Sequence, residues 1–265
     1  MLLEDRVCLV TGASGGIGQA LCHTLAKAGA RMVLTARDKS ALDVLAASLP
    51  AASVVAVLAA DQSDPAALQM LAADAAGLHV DTLINLAGTN QLTLFDDMSA
   101  QALSELVSLN LTAPMLLTHA MLPHLKTRRA ALIVNIGSAF GAIGFPGYVA
   151  YSASKFGLRG FSEALARELQ DTEIGVLYVA PRATDTKMNH GRADALNVAL
   201  GNRTDSPQWV AQQIVRAMGK PARRLHLGWP ERFFVWLNGW WPWLVDNSLA
   251  RQLPVVRDHA RDSNI

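Results

Sequence analysis

Cysteine is almost absent from this chain: Cys8 and Cys22 are the only two in 265 residues, and they fall in no metal or redox spacing. Both lie in apolar stretches, so they are expected to be small buried hydrophobes in a reducing compartment, and a disulfide framework is excluded. The seven histidines include no His-x-x-x-His pair, and His119 and His124 are five apart, so no zinc site is expected. Charge is scarce and nearly balanced: 17% of residues are charged and the net charge is +1. That gives no electrostatic ground for a nucleic-acid partner. No run approaches the roughly 20 apolar residues of a membrane-spanning helix. The opening "MLLEDRVCLV" turns acidic at Glu4 before it could serve as a secretory leader. A cytoplasmic protein is the expectation. Linkers, low-complexity tracts and internal repeats are missing as well, and hydrophobic residues reach 51%, so the chain reads as one globular domain around one sizeable core.

What is present is an alternation. Short apolar runs at 6–10, 31–36, 54–60, 81–88, 131–138, 175–181 and 225–228 predict strands. Longer helical patterns lie between them at 17–30, 40–49, 65–77, 105–125, 152–170 and 207–219. Continuous apolar strands alternating with helices predict an α/β fold: a doubly wound, seven-stranded parallel sheet of the Rossmann type with helices on both faces. Ligands of such sheets bind at the carboxyl ends of the strands. The alternation ends near residue 228, which divides the chain into a nucleotide-binding and catalytic region at 1–228 and an extension at 229–265 packed on the same domain.

"VTGASGGIGQAL" (10–21) follows the first strand and opens the first helix. Gly12, Gly16 and Gly18 stand where a tight turn, a close backbone approach and a helix–strand contact are needed, and the helix N-terminus beyond them suits a pyrophosphate. Arg37 closes the second strand after Ala36, with Asp38 next. A carboxylate here meets a free ribose 2′-hydroxyl and an arginine meets a 2′-phosphate. The order favours the phosphate, and therefore NADP.

"YSASK" (151–155) sets Tyr151 and Lys155 four apart, on one face of a helix. An ammonium beside a phenol favours the phenolate and lowers its pKa from about 10, which suits proton exchange in carbonyl/alcohol chemistry. Ser138 ends the fifth strand, from where its hydroxyl can bond a substrate oxygen as charge develops. Tyr148 is a rival to Tyr151, but the four-residue spacing to Lys155 is the tighter geometry. Ser14, Ser138 and Ser152 have no His/Asp arrangement, so hydrolysis is not expected.

T-G-A-S-G-G-I-G, N-L-A-G (85–88), Asn110 in "SLNLTAP", Ser138 and Y-S-A-S-K, in this order and spacing, resemble the short-chain dehydrogenase/reductase family. The resemblance runs from residue 6 to about residue 228. It implies a tetrad of Asn110, Ser138, Tyr151 and Lys155, with Tyr151 as general acid in reduction and Ser138 polarising the carbonyl. Lys155 would hold the nicotinamide ribose and Asn110 a water in a proton relay. It further implies cofactor contacts from Gly12, Ser14, Gly16, Ile17 and Gly18 in the first turn, from Arg37, and from Asp61 to the adenine amine. Asn85, Ala87 and Gly88, then Pro181, Thr184 and Thr186, complete that set, with Asn85 supporting the central strand. The family often carries P-G-x-V-x-T where this chain reads "PRATDT" (181–186). Arg182 in place of the glycine puts a cation at the edge of the substrate pocket.

The implied activity is NADP(H)-dependent transfer of a hydride between nicotinamide and a carbonyl/alcohol substrate, as in a ketone or aldehyde reductase. The alternatives are a 3-oxoacyl thioester reductase of fatty-acid metabolism and a non-catalytic NADP-binding sensor. Sugar-nucleotide epimerases and dehydratases share Tyr-x-x-x-Lys but use Gly-x-x-Gly-x-x-Gly and a further substrate domain. Loops 90–96, 140–148 and 186–205 are expected to shape the substrate pocket, and the assembly is expected to be a homodimer or homotetramer.

Five of the six tryptophans lie between Trp229 and Trp243, and the run Phe233–Val245 carries no charge. Such density suits a hydrophobic cover on the substrate pocket, a subunit contact, or a peripheral contact at the inner membrane surface. Each points to a lipophilic substrate.

Overall fold

The computed structural model describes residues 3, 4, 6–220 and 223–261. The sheet strands are β1 Val7–Thr11, β2 Arg31–Ala36, β3 Val54–Ala59, β4 Thr82–Asn85, β5 Leu132–Ile136, β6 Gly175–Ala180 and β7 Arg224–His226. They pair in the order β3-β2-β1-β4-β5-β6-β7, every neighbour parallel. The chain winds outward from β1 in one direction and from β4 in the other. Their carboxyl ends therefore diverge at the centre of the sheet and leave a crevice there.

Helices α1 Gly16–Lys27, α2 Lys39–Ser48 and α8 Pro207–Met218 cover one face. Helices α3 Pro65–Gly77, α4 Ala100–Val107, α5 Ala113–Leu125 and α6 Val149–Glu168 follow in sequence between β3 and β6, with α3, α5 and α6 on the other face. The period of two in β1 divides the cores. Cys8 and Val10 point into the first, with Leu21, Leu42 and Ile214, while Val7 and Leu9 point into the second, with Leu71, Leu117 and Met121. Both cysteines are buried, which pushes each thiol up to about 12 and leaves them packing groups. Helix starts follow the local chemistry: Asp38, Asp64, Ser99 and Ser206 cap α2, α3, α4 and α8, and Pro65 and Pro207 take first helical positions.

Two features differ from the sequence reading. The helix expected at 105–125 begins at Ala100, where Ser99 caps it, and widens into a π turn at Ser108–Thr112 between α4 and α5. The combined run Ala100–Leu125 has the length and mean hydropathy, 1.2, of a spanning helix, but Leu117, Met121 and Leu125 pack on the sheet. Second, helix α7 Arg192–Ala199 forms inside the segment 186–205 expected as a loop; the extension, outside the alternation as expected, folds as α9 Glu231–Trp240 and α10 Pro242–Arg261. A third cluster forms where α7 and α10 meet: Leu92, Tyr148, Leu196, Val256 and Ala260 are all buried in it.

Candidate active site

The first turn is built by steric exclusion. Gly12 has φ +64°, and a Cβ added to it would sit 2.9 Å from the Ala87 Cα, while one on Gly18 would collide with the Gly12 carbonyl oxygen. Only glycine meets both conditions. Thr11 Oγ1 accepts the backbone N–H groups of Leu86 and Ala87 at 2.9 and 3.0 Å, which fastens the N-L-A-G segment beside the turn. Helix α1 then opens on Gly15 and Gly16 with no side-chain cap and no acid in its first turn. Its first amides are left for a ligand anion. The far wall comes from the segment after β6, where the Thr186 methyl lies against Gly16.

These walls enclose a cleft of about 530 Å³. Of the residues expected there, Gly12, Ser14, Gly16, Ile17, Gly18, Arg37, Ala87, Gly88, Ser138, Tyr151, Lys155, Pro181, Thr184 and Thr186 line it. Asp61, Asn85 and Asn110 do not. Asp61 turns to Ser63, whose N–H and hydroxyl both donate to it, and these bonds hold its carboxyl below the usual range; Gln62 faces the cleft instead. Asn85 lies under the site, donating to Asn135 Oδ1 at 2.8 Å and Thr118 Oγ1 at 3.1 Å, and Asn135 donates on to Ser162 at 2.9 Å. Asn85 therefore ties β4 to β5 and α5 rather than meeting a cofactor. Sequence reasoning missed Thr11, Gln62 and Asn135. The threonine beside Gly12 was the one legible signal, since a hydroxyl there can reach the neighbouring strand's end.

At the end of β2, Asp38 accepts from Ala41 N at 3.1 Å as the cap of α2. Its carboxylate is committed to the helix, and exposed Arg37 is left at the cleft edge.

At the opposite end, Tyr151, Ser154 and Lys155 occupy the first turns of α6. Ser138 Oγ accepts the Phe140 N–H at 3.2 Å, so its own proton is free to be donated, and it bonds the Tyr151 phenol. Lys155 is 4% exposed; its Nζ donates to the Ile136 carbonyl at 3.1 Å and stands 5.8 Å from the Tyr151 ring centre. Asn110, carried by the π turn, is fully buried. It accepts from Thr89 N at 2.8 Å, donates to Thr89 O at 2.8 Å and to Ser154 Oγ at 3.2 Å, and Ser154 donates to the Tyr151 carbonyl. A Cβ on Gly88 would touch both Asn110 Oδ1 and Lys155 Nζ, so those two groups flank one point behind the cleft wall.

The electrostatics depart from the sequence expectation. Burial raises the Tyr151 pKa above the ordinary phenol value, and the Ser138 hydrogen bond pulls the other way more weakly. Burial also brings Lys155 down to about 8. Desolvation is the leading cause for both groups, although Tyr151 lines the cleft and is only partly buried. At neutral pH the site holds a phenol and an ammonium. Tyr148, the rival, is buried in the third cluster and pushed to about 12; its ring is 6.2 Å from that of Tyr151, and it does not line the cleft.

Arg182 lines the cleft edge, as the sequence places it, and is paired there. Its Nε and Nη2 donate to both oxygens of Asp205 at 2.9 and 2.7 Å, both side chains being nearly buried, and the backbones of Thr184 and Asp205 pair beside them. The fork clamps the base of the segment 183–205. Its other side is tied across the cleft: Asn90 donates to Asn189 Oδ1 at 2.9 Å, and Asn189 donates to Thr184 O at 2.8 Å.

The extension divides its work. Helix α10 packs into the third cluster, beside Tyr151, through Val256 and Ala260, with Arg192 of α7 donating to Ala260 O at 2.8 Å. The tryptophan run, for which a pocket cover is one of three readings, is exposed, from Phe233 at 44% to Trp240 at 70%.

The family model described as short chain dehydrogenase matches residues 6–197. The 3-oxoacyl-[acyl-carrier-protein] reductase FabG of Pseudomonas aeruginosa is 36% identical over 225 residues, 83% of this chain and 90% of that one. A short chain dehydrogenase from Burkholderia cenocepacia, solved in complex with NADP, superposes with a TM-score of 0.77 at 28% identity over 86% of this chain and 98% of its own. A short chain dehydrogenase/reductase from Burkholderia phymatum, solved with NAD, gives 0.83 over 90% and 94%, at 23% identity.

Proposed function

The chain belongs to the short-chain dehydrogenase/reductase family of oxidoreductases, and from that premise we propose that it reduces a lipophilic ketone or aldehyde with NADPH, or runs the reverse oxidation. The observation that carries this reading is a Tyr151 phenol bonded by Ser138, its ring centre 5.8 Å from Lys155 Nζ, at one end of a cleft whose other end is the glycine turn. The turn fits a dinucleotide: Gly12 and Gly18 leave no room for side chains, the first amides of α1 are uncapped, and Arg37 stands where a 2′-phosphate would lie. When bound, the nicotinamide supplies the hydride.

The chain's own residues do the rest. Ser138 donates a hydrogen bond to the substrate carbonyl oxygen, keeping its own proton, and holds that oxygen beside Tyr151. Tyr151, a phenol at neutral pH, gives its proton to that oxygen as negative charge develops. The Lys155 ammonium stabilises the phenolate left behind. Asn110 is bonded to both atoms of the Thr89 peptide, which fixes the wall behind Lys155. The buried cluster of Leu92, Tyr148, Leu196 and Val256 packs against Tyr151, so the phenol's surroundings on that side are apolar, which favours a lipophilic substrate over a sugar.

The similarity to a 3-oxoacyl-carrier reductase favours a second reading, reduction of a 3-oxoacyl thioester. Oxidation of NADPH and NADH, followed across a chain-length series of aldehydes, ketones and a 3-oxoacyl thioester, separates the readings. Turnover that rises with chain length in the simple carbonyls supports the first. Preference for the thioester supports the second, and cofactor binding without turnover of any carbonyl leaves only a sensor. The reading includes a homodimer or homotetramer, for which the exposed Met115 and Leu116 of α5 and Phe156 of α6 offer apolar surface; light scattering of the purified protein gives the mass.

A further inference from the structure

We propose that the α9–α10 hairpin docks the protein onto an anionic lipid surface, with the rings from Phe233 to Trp243 entering the headgroup boundary. These rings are well ordered against one another yet belong to no core. Phe233 lies 5.9 Å from Phe234 and from Trp236, Trp236 lies 6.0 Å from Trp241, and Trp241 lies 6.5 Å from Trp240. Trp240 is 70% exposed and Trp243 58%. The ladder is a preformed apolar ridge on the outside of the molecule.

Its chemistry selects lipid over protein. A protein interface carries about one hydrogen bond per 100–200 Å² and charged groups at its rim. Between Phe233 and Leu244 no residue is charged, and the one amide, Asn238, is turned inward to the Ala142 carbonyl. What the ridge offers instead are indole rings, apolar in body with one N–H donor each, the group that settles where hydrocarbon meets headgroup. The charge on the hairpin leans toward anionic headgroups. Residues 231–261 hold four arginines against three acids, and Arg261 at the far end is paired with Asp96 and Asp97. Arg232 and Arg251, both exposed, bracket the ridge in sequence. An amphipathic element with aromatic rings on one side and arginines at its flanks is suited to lie in an anionic interface.

The hairpin also connects that surface to the site. Helix α10 begins among the exposed rings and ends with Val256 and Ala260 against Tyr148 and Leu196, so docking brings the pocket cover to the bilayer. This consequence rests on the lipophilic-substrate reading; the docking does not, and its test needs no turnover.

The test is co-sedimentation of the full chain with phosphatidylcholine vesicles and with vesicles containing phosphatidylglycerol. The parent is compared with the double variant Trp240→Ser, Trp243→Ser. Expected are pelleting with the anionic vesicles, weaker pelleting at high salt as screening sets in, and at least a tenfold smaller bound fraction for the variant. The variant should keep the parent's far-ultraviolet circular dichroism, melting temperature and activity on a short water-soluble carbonyl, because both side chains are exposed. Three results would overturn the proposal: no pelleting of the parent with either vesicle, equal pelleting of parent and variant, or a smaller solution mass for the variant. The last would make the ridge an interface between copies of this chain. Should the double variant unfold, the intrinsic tryptophan emission of the parent titrated with vesicles decides alone, a blue shift supporting insertion and an unchanged spectrum refuting it.

Discussion

Burial shifts both Tyr151 and Lys155, and that fixes the direction of their pH dependence. The phenol stays protonated well past neutrality, and the lysine, brought down to about 8, keeps its ammonium below that value and loses it above. Carbonyl reduction needs the phenol's proton and gains from the ammonium, so kcat/KM for reduction should be flat at low pH and fall as pH rises through about 8. Alcohol oxidation needs a phenolate and should rise over the same range. A stopped assay in both directions from pH 6 to pH 10 reads this, and a reductive rate that climbs above pH 8 would refute the assignment. Tyr151→Phe keeps the ring in its aromatic cluster but removes the transferable proton. Turnover should drop by about 10²–10⁴, the range for lost acid–base catalysis, with cofactor affinity nearly unchanged. Near-normal turnover of this variant would remove Tyr151 from the role. Arg37 is the second residue whose chemistry is isolated, since Asp38 is spent on its helix cap. Arg37→Asp should weaken NADPH and spare NADH, shifting the ratio of their dissociation constants by about tenfold or more, as charge-assisted bonds of ~1.5–3 kcal/mol imply. Equal affinities in the parent would sink this cofactor preference.

Elements inherit what single residues cannot show. The strands and the first-turn glycines were legible in the sequence because their constraints are local: an apolar run between turns for β2 at 31–36, and a Gly-x-x-x-Gly-x-Gly spacing read at the end of β1. The Tyr151–Lys155 spacing was legible for the same reason, being a helical repeat. Asn85 supports the central strand as read, but its place in the cofactor set fails because β4 turns it under the site to Asn135. Arg182 stands at the cleft edge as read, but its pairing was not legible because Asp205 is 23 residues away and met only through the fold. Nor could the sequence signal burial strong enough to outweigh a lysine beside a tyrosine. The Arg182–Asp205 fork yields a prediction at this scale. Removing it frees the base of the segment that presents Thr184 and Thr186 to the cleft, so Arg182→Ala should raise the KM for cofactor more than it lowers kcat. It should also cost about 1–3 kcal/mol of stability, since Asp205 is left nearly buried without its charged partner. Chemical denaturation and steady-state kinetics of Arg182→Ala and Arg182→Lys read both; a fork that merely decorates the surface would leave each unchanged.

At the scale of the whole molecule, the sheet and its two cores are complete without the extension, while the substrate side is not. Tyr148, Leu92 and Leu196 are buried only because α10 lays Val256 and Ala260 over them, and α7 is held in place by the bond from Arg192 to Ala260 O. The glycine turn and Arg37 make none of these contacts, and of the catalytic group it is Tyr151 that packs against the cluster. Ending the chain after Trp240 should therefore uncouple two properties. Dissociation constants for NADPH should change by no more than a few-fold, while the KM for long-chain or polycyclic carbonyls should rise by about tenfold or more, the loss of one or two apolar contacts at ~1.5 kcal/mol each. Short substrates should feel little of this, because they do not extend to the cluster. Val256→Ala is the milder form of the same test: it shaves the cover without removing the helix and should shift chain-length preference in the same sense. If the truncated chain no longer binds cofactor, α10 belongs to the core after all, and selection of the substrate must lie in the loops at 90–96 and 186–205.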